Sequence, residues 1–134
     1  MARVKDDSDG GNKFVQFALY AVVVLALIGV GLGPVRSWLN RTQKASLKAG
    51  LKNIRDAYTA FYTTKSRYPG DNLQDLLIVN GGNIQEWPID PTSGSGSVVT
   101  SLTGAGGWFH DTQKHDVFVN QLGDDYFGQP YSQY

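Results

Sequence analysis

Residues 14–33 form an apolar segment with one polar side chain, Gln16, and no charge. At 1.5 Å per residue, a helix of this length reaches about 30 Å, the thickness of the hydrocarbon core of a bilayer. The segment is longer than the apolar part of a secretory signal, which has about 7–15 residues, and no small-residue cleavage pattern follows it. The pattern therefore predicts a retained transmembrane helix.

Two glycines and a proline mark the end of this segment. Gly29 and Gly33 are four residues apart, a spacing that lets a second helix approach closely. Alternatively, these glycines only soften the helix before Pro34. Pro34 lacks an amide hydrogen and clashes with the preceding turn, so we expect a kink or local melting there.

An amphipathic helix is predicted beyond Pro34. It is expected to end before Pro69, because Tyr68 precedes a proline and is pushed out of the helical conformation. The helical spine would then run from Phe14 to about Arg67. Five apolar residues recur at spacings of four and three and predict one buried face: Leu47, Leu51, Ile54, Tyr58 and Phe61.

The rest of the chain predicts a small head. A short helix capped by Asp71 or Asn72 should direct Leu73, Leu76 and Leu77 inward and end at Gly81-Gly82. Strands are expected over 97–102, 107–110 and 116–120, with a polar turn at 111–114. The predicted fold class is α+β, in which a long N-terminal transmembrane and amphipathic spine packs on a small antiparallel sheet.

The zero net charge of the 134-residue chain hides a separation of charge. Residues 34–70 hold eight basic residues and one acidic residue, whereas residues 71–134 hold eight acidic residues and one basic residue. These blocks are either solvated faces or a basic stalk and an acidic head that meet between copies. We expect no nucleic-acid binding, because the aromatic residues near the cations lie on the apolar face.

Candidate catalytic and metal-binding chemistry is sparse. The chain has no cysteine and no phosphate-binding loop. His110 and His115 lie beside Asp111 and Asp116, but a polar hairpin tip is favoured over an acid–base pair. We therefore expect no enzyme activity and no cofactor. Calcium is the one exception considered: Asp124 and Asp125 would each supply oxygen, and other groups would complete the six to eight ligands.

Several motifs occur in an order that resembles the type IV pilins and the pseudopilins of type II secretion. The resemblance begins with the apolar helix, a proline about twenty residues into it, and the amphipathic continuation. It covers most of residues 12–120. The motifs are Ala57–Tyr62 (AYTAFY), Lys65–Pro69 (KSRYP), Trp87–Pro91 (WPIDP), and Gly106–His110 (GGWFH) with Val117–Asn120 (VFVN).

The resemblance implies a leader that a prepilin peptidase removes before methylating the new N-terminus. Gly11 would end the leader and Asn12 would begin the mature chain. Family members usually carry a Glu at the assembly position where this chain has Gln16. A neutral amide cannot offset a buried terminal amine. The leader also carries three aspartates instead of a mainly basic run.

The resemblance also implies an organisation, a location and partners. Residues 1–11 would be a cytoplasmic leader, 12–34 the assembly helix and 35–134 the globular domain, with a helix over 35–67, a variable region over 68–96 and the sheet and tail over 97–134. The chain would cross the bacterial inner membrane once with its C-terminus outside the cytoplasm. Within about 20 residues of the span, however, five cations follow it and three precede it, which favours the reverse.

The sequence therefore predicts a structural subunit of a type IV pilus-like or type II pseudopilus-like filament. Its partners would be other copies, the assembly machinery, the peptidase and membrane lipid. Filaments of this kind lie in the periplasm or on the cell surface. The alternative is a monomeric single-span protein whose extracytoplasmic head binds a partner in a secretion or envelope complex.

Overall fold

A computed structural model describes residues 8–134, with the backbone alone for residues 8–14 and 26–33. Helix α1 spans Ser8–Lys65, and three short 3₁₀ helices follow at Gln74–Leu76, Ile78–Asn80 and Tyr131–Gln133. The strands are β1 (Val98–Val99), β2 (Trp108–Asp111) and β3 (Asp116–Val119). The α+β class with a small three-stranded sheet is confirmed. The chain divides into two compact units, Met1–Leu39 and Asn40–Tyr134, whereas the sequence placed the start of the globular domain at residue 35.

Helix α1 continues through Pro34, which excludes the local melting that was one of the two expected outcomes, whereas the expected kink stays a prediction. A proline removes one hydrogen bond from a helix interior and costs about 3 kcal/mol, which long flanking helical segments can offset. The side chain of Ser37 donates a hydrogen bond to the Pro34 carbonyl at 3.0 Å. The predicted C-terminus is confirmed within two residues, since Ser66 has a left-handed φ of 54° after Lys65.

The core of the second unit lies between α1 and the sheet. The five predicted helix positions, Leu47, Leu51, Ile54, Tyr58 and Phe61, are all buried. Trp108, Val117 and Val119 contribute the inner face of the sheet, because alternate residues of β2 and β3 point inward. The helical periodicity therefore identified the face that forms the core.

The sheet is mixed, which corrects the prediction of an antiparallel sheet. Strands β2 and β3 pair in antiparallel fashion, with Trp108 opposite Val119. Strand β1 is parallel to β2, with Val98 opposite Trp108. The intervening loop carries the chain back to the same end of the sheet. Gly107 is left-handed there (φ 78°), and a Cβ on it would lie 2.4 Å from the Ser97 carbonyl oxygen.

Residues 71–84 form two 3₁₀ helices in place of the predicted short helix. Leu73 adopts a left-handed conformation (φ 57°) that buries its side chain completely, and Leu76 is also fully buried. Gly81 ends the second 3₁₀ helix with a φ of 88°, as the sequence predicted for the end of the element. The chain then returns closely past Leu76, whose carbonyl accepts a hydrogen bond from the Ile84 amide at 2.8 Å.

Candidate assembly surface

The N-terminal part of α1 presents an apolar surface on every side. All side chains from Val15 to Leu25 are exposed, including Phe17 at 79% and Tyr20 at 72%. Consecutive helical residues are about 100° apart, so this run covers the full circumference of the helix. A helix that is apolar on all sides needs a cover of lipid or protein, because exposing so much apolar surface to water is unfavourable.

The predicted span over 14–33 extends beyond this surface. Among the residues whose side chains are described, no helix is long and apolar enough to cross a membrane. The side chains of Phe14 and of residues 26–33 lie outside that description.

The predicted assembly residues occupy helix α1. Gln16 and Pro34 are exposed. Gly11 and Asn12, the predicted processing site, lie within the helical backbone, and so do Gly29 and Gly33. The surroundings of these four residues lie outside the part of the chain with described side chains, so the processing and packing assignments stay predictions.

Asp125, one of the two proposed calcium ligands, instead binds groups of the C-terminal tail and a lysine of α1. Its Oδ1 accepts hydrogen bonds from the amides of Phe127 and Gln129, both at 2.8 Å. Its Oδ2 accepts a hydrogen bond from the Tyr134 hydroxyl and lies 2.8 Å from Lys44 Nζ. The Lys44 ammonium is the largest influence holding the pKa of Asp125 well below its usual range, followed by the Tyr134 hydroxyl.

Calcium binding receives no support from this geometry. A carboxylate offers about four lone-pair sites, and Asp125 already receives four donors. Asp124 is exposed, and its backbone bridges to Pro130. In the described part of the chain, no three His, Cys, Asp or Glu side chains are grouped as metal ligands would be. The calcium hypothesis stays a prediction, and calorimetric titration of the full chain tests it.

The two histidines occupy separate environments, and neither forms the acid–base pair considered from the sequence. His110 is buried, with Nδ1 3.1 Å from the Asp71 carbonyl and Nε2 3.3 Å from the Tyr58 hydroxyl. Because a carbonyl only accepts, Nδ1 carries the proton. Burial is the main cause that raises the pKa of Tyr58 to about 12. His115 stacks on Tyr68, with ring centroids 3.7 Å apart.

Asp90 in the WPIDP motif is a buried structural centre that the sequence reading missed. Its Oδ1 accepts hydrogen bonds from the amide and hydroxyl of Thr92, and its Oδ2 accepts them from Ser93, Gly107 and Gln121. Burial is the largest influence and opposes ionisation, but the hydrogen bonds together outweigh it and lower the pKa of Asp90. The motif thus joins the variable region to the start of β2.

Asn120, the last residue of the VFVN motif, performs a similar role for the β1–β2 loop. Its Oδ1 accepts hydrogen bonds from the amides of Thr103 and Gly104 at 2.8 and 3.2 Å. Its Nδ2 donates to the Gly106 carbonyl at 2.9 Å. The WPIDP and VFVN motifs therefore stabilise the head. The prolines around Asp90 are the local sequence signal for such a loop anchor, and Asn120 has no comparable signal beside it.

The opposed charge blocks pair partly within one copy. Lys44 contacts Asp125, Arg55 contacts Asp116 at 3.0 Å, and Arg67 contacts Asp75 at 3.2 Å. Arg55 also donates hydrogen bonds to the carbonyls of Val117 and Tyr134. The contacts of Lys44 and Arg55 attach the tail and the hairpin to α1, and the Arg67–Asp75 pair joins the residues just after α1 to the first 3₁₀ helix. Part of the charge separation therefore serves the fold of the head.

Comparison with known proteins returns no relative: no family model, no curated protein and no solved structure matches this chain.

Proposed function

We propose that this chain is a non-enzymatic structural subunit of a pilin-like filament, anchored in the bacterial inner membrane by the apolar part of α1 before assembly. The observation that carries the proposal is the exposure of every side chain from Val15 to Leu25. This surface must be covered by lipid, by other copies, or by each in turn.

A transfer from lipid to other copies suits a helix of this composition. Lipid tails are as apolar as Val and Leu, so close packing rather than removal from water selects the contacts between helices. Gly29 and Gly33 supply the small residues that allow such packing. The order of motifs along the head supports the pilin-like assignment. The partners under this proposal are other copies, the assembly machinery, a prepilin peptidase and membrane lipid.

The experiment that tests this function isolates the full chain from native membranes and from sheared surface material. We expect the chain to float with the membrane fraction and to form filaments visible by electron microscopy. A monomer that floats but never forms filaments would instead support the single-span protein with a partner-binding head. A chain that stays out of the membrane fraction would contradict both.

Intact mass and N-terminal sequence of the same material test the processing of the leader. A start at Asn12 with one added methyl group would support cleavage after Gly11. A start at Met1 or Ala2 would mean that the leader is kept and would contradict the processing part of the proposal.

A further inference from the structure

A short exposed segment follows the apolar part of α1 within the same compact unit. Val35, Trp38 and Leu39 are 51%, 64% and 48% exposed. Trp38 and Leu39 follow Val35 by three and four residues, so both lie on the same side of the helix as Val35. Arg36, also exposed, borders this face, being three residues before Leu39. An exposed apolar face that contains a Trp and a bordering Arg is suited to a surface with both apolar and anionic parts.

The position of this face relative to the apolar segment indicates that partner. Trp38 is five residues beyond Gly33, which corresponds to about 8 Å along a helix. The headgroup region extends roughly 5–8 Å beyond each side of a hydrocarbon core of about 30 Å. If residues 14–33 fill the core, Trp38 and Arg36 lie at the level of the headgroups.

The side chains of Trp38 and Arg36 are both of types that favour the headgroup region. Trp is enriched at membrane interfaces because its apolar ring and polar N–H face different environments. A Lys or Arg near an anionic leaflet contributes about 1 kcal/mol. A second copy would also cover Val35 and Leu39, and the experiment below distinguishes it from lipid. Within the apolar segment of such a copy, residues 14–33 carry no charge that could pair with Arg36.

We propose that Val35–Leu39 is an interfacial anchor that binds anionic phospholipid headgroups while the subunit resides in the membrane. Trp38 lies among the glycerol and headgroup atoms, and Arg36 pairs with lipid phosphate. This inference rests on the membrane-anchored state of the proposed function and adds to it the lipid class and the residues that recognise it.

The test places the full chain in vesicles of phosphatidylcholine and phosphatidylglycerol, with bromine on the acyl chains of one lipid or the other. Bromine quenches nearby Trp fluorescence. Trp38 is the exposed Trp among those described, whereas Trp108 is fully buried and Trp87 is partly buried in the head. We expect quenching in the natural chain and its loss in Trp38→Phe, with brominated phosphatidylglycerol favoured by up to about fivefold.

Two charge variants separate headgroup binding from general attraction to the vesicle. Arg36→Gln should abolish the preference for phosphatidylglycerol and leave flotation unchanged. Lys48→Gln, a matched exposed position in the second unit, should keep the preference. Equal quenching by both lipids in the natural chain would overturn the proposal.

The remaining outcomes distinguish this inference from the proposed function. Blue-shifted Trp38 emission that bromine does not quench, in a chain that floats with vesicles, would mean that another copy covers Trp38. That result overturns the interfacial anchor and leaves the membrane-anchored subunit in place. A chain that does not float at all would contradict the proposed function itself.

Discussion

At the scale of single residues, the head is organised by a few buried polar side chains with complete sets of partners. Asp90 accepts hydrogen bonds from five donors on four residues, and Asn120 holds the loop before β2. In the described part of the chain, no buried side-chain nitrogen or oxygen lacks a partner. Because buried polar groups are costly when unpaired, these residues stabilise one arrangement of the loops over others.

The substitution Asp90→Asn tests this role. An amide nitrogen cannot accept the hydrogen bonds from Ser93 and Gly107, so we expect a loss of about 1–3 kcal/mol in the free energy of unfolding. Thermal unfolding of the detergent-solubilised full chain, followed by near-ultraviolet circular dichroism, measures the change. Asp124→Asn, at an exposed position, is the matched control and should leave the melting temperature unchanged.

The stabilising effect of Asp90 should also depend on pH. The pKa of Asp90 is lower in the folded chain than in the unfolded chain. The ionised carboxylate therefore stabilises the fold fully above about pH 4, and this stabilisation is lost as the pH falls through the folded-state pKa. The difference in stability between the natural chain and Asp90→Asn should therefore shrink below about pH 4. A difference that stays constant from pH 7 to pH 3 would contradict the assignment.

A substitution at Gly50 tests the packing of α1 against the sheet. A Cβ at this position would lie 3.2 Å from the ring of Trp108 and 3.3 Å from Pro88. We expect Gly50→Leu to destabilise the head by about 1–3 kcal/mol through overpacking, although Leu has the higher helix propensity. Ala49→Leu, next to it on an exposed position, should stay within about 0.5 kcal/mol in the same unfolding experiment.

At the scale of elements, regular patterns of apolar residues predicted the buried helix face and the position of β3. Features that depend on contacts between distant residues, such as the direction of β1, could not be predicted. The spacing of Leu47, Leu51 and Ile54 identified the buried face, and the alternation in 116–120 located β3 within one residue. A strand was predicted over 97–102, but β1 covers only Val98 and Val99, and it runs parallel to β2 rather than antiparallel. Its direction depends on a loop held by Asn120, and no local pattern carries that information.

Around the candidate sites, the contacts that the sequence did not show are likewise contacts between distant residues. Asp125 lies beside Asp124 in the sequence, which suggested a shared cation. In the structure Asp125 binds Lys44, which is far away along the chain. The donors to Asp90 at Gly107 and Gln121 lie 17 and 31 residues away along the chain, so no local pattern identified Asp90 as a buried centre.

Close packing between helices of different copies is predicted to require Gly29 and Gly33. Gly29→Leu with Gly33→Leu should block filament formation and leave membrane flotation intact, since the larger side chains prevent close approach but keep the segment apolar. Ala18→Leu with Ala21→Leu adds similar volume at exposed positions away from the glycine pair. Electron microscopy of both variants measures the outcome. Filaments formed by the glycine variant would mean that these glycines only soften the helix.

At the scale of the whole molecule, charge has two functions in this account. Lys44, Arg55 and Arg67 pair with acidic residues of the same chain. Lys48 has a different environment, with its ammonium 5.3 Å from the Tyr134 ring, and Lys52 pairs with Asp56 on the exposed surface. Exposed pairs contribute little to stability, so under the proposed assembly Lys48 and Lys52 are available to contact the acidic head of another copy.

The double reversal Lys48→Glu with Lys52→Glu tests this contact. We expect it to raise the subunit concentration needed for assembly, with a smaller effect at high salt because salt screens exposed charges. Lys48→Gln with Lys52→Gln should give an intermediate effect. Acid-to-base changes at exposed Asp71 and Glu86 should partly restore assembly of the reversed chain. Unchanged assembly of the double reversal would show that these charges only solvate the surface.

The central claim is that lipid and other copies cover the apolar part of α1, and oxidative cross-linking in native membranes tests it most directly. The chain contains no cysteine, so one cysteine introduced in turn at each position from Val15 to Leu25 reports on neighbours without background. We predict cross-linked dimers at several of these positions, and none from a cysteine at exposed Asp124 in the head. Monomers at every helix position, in a chain that floats with the membrane, would contradict the claim.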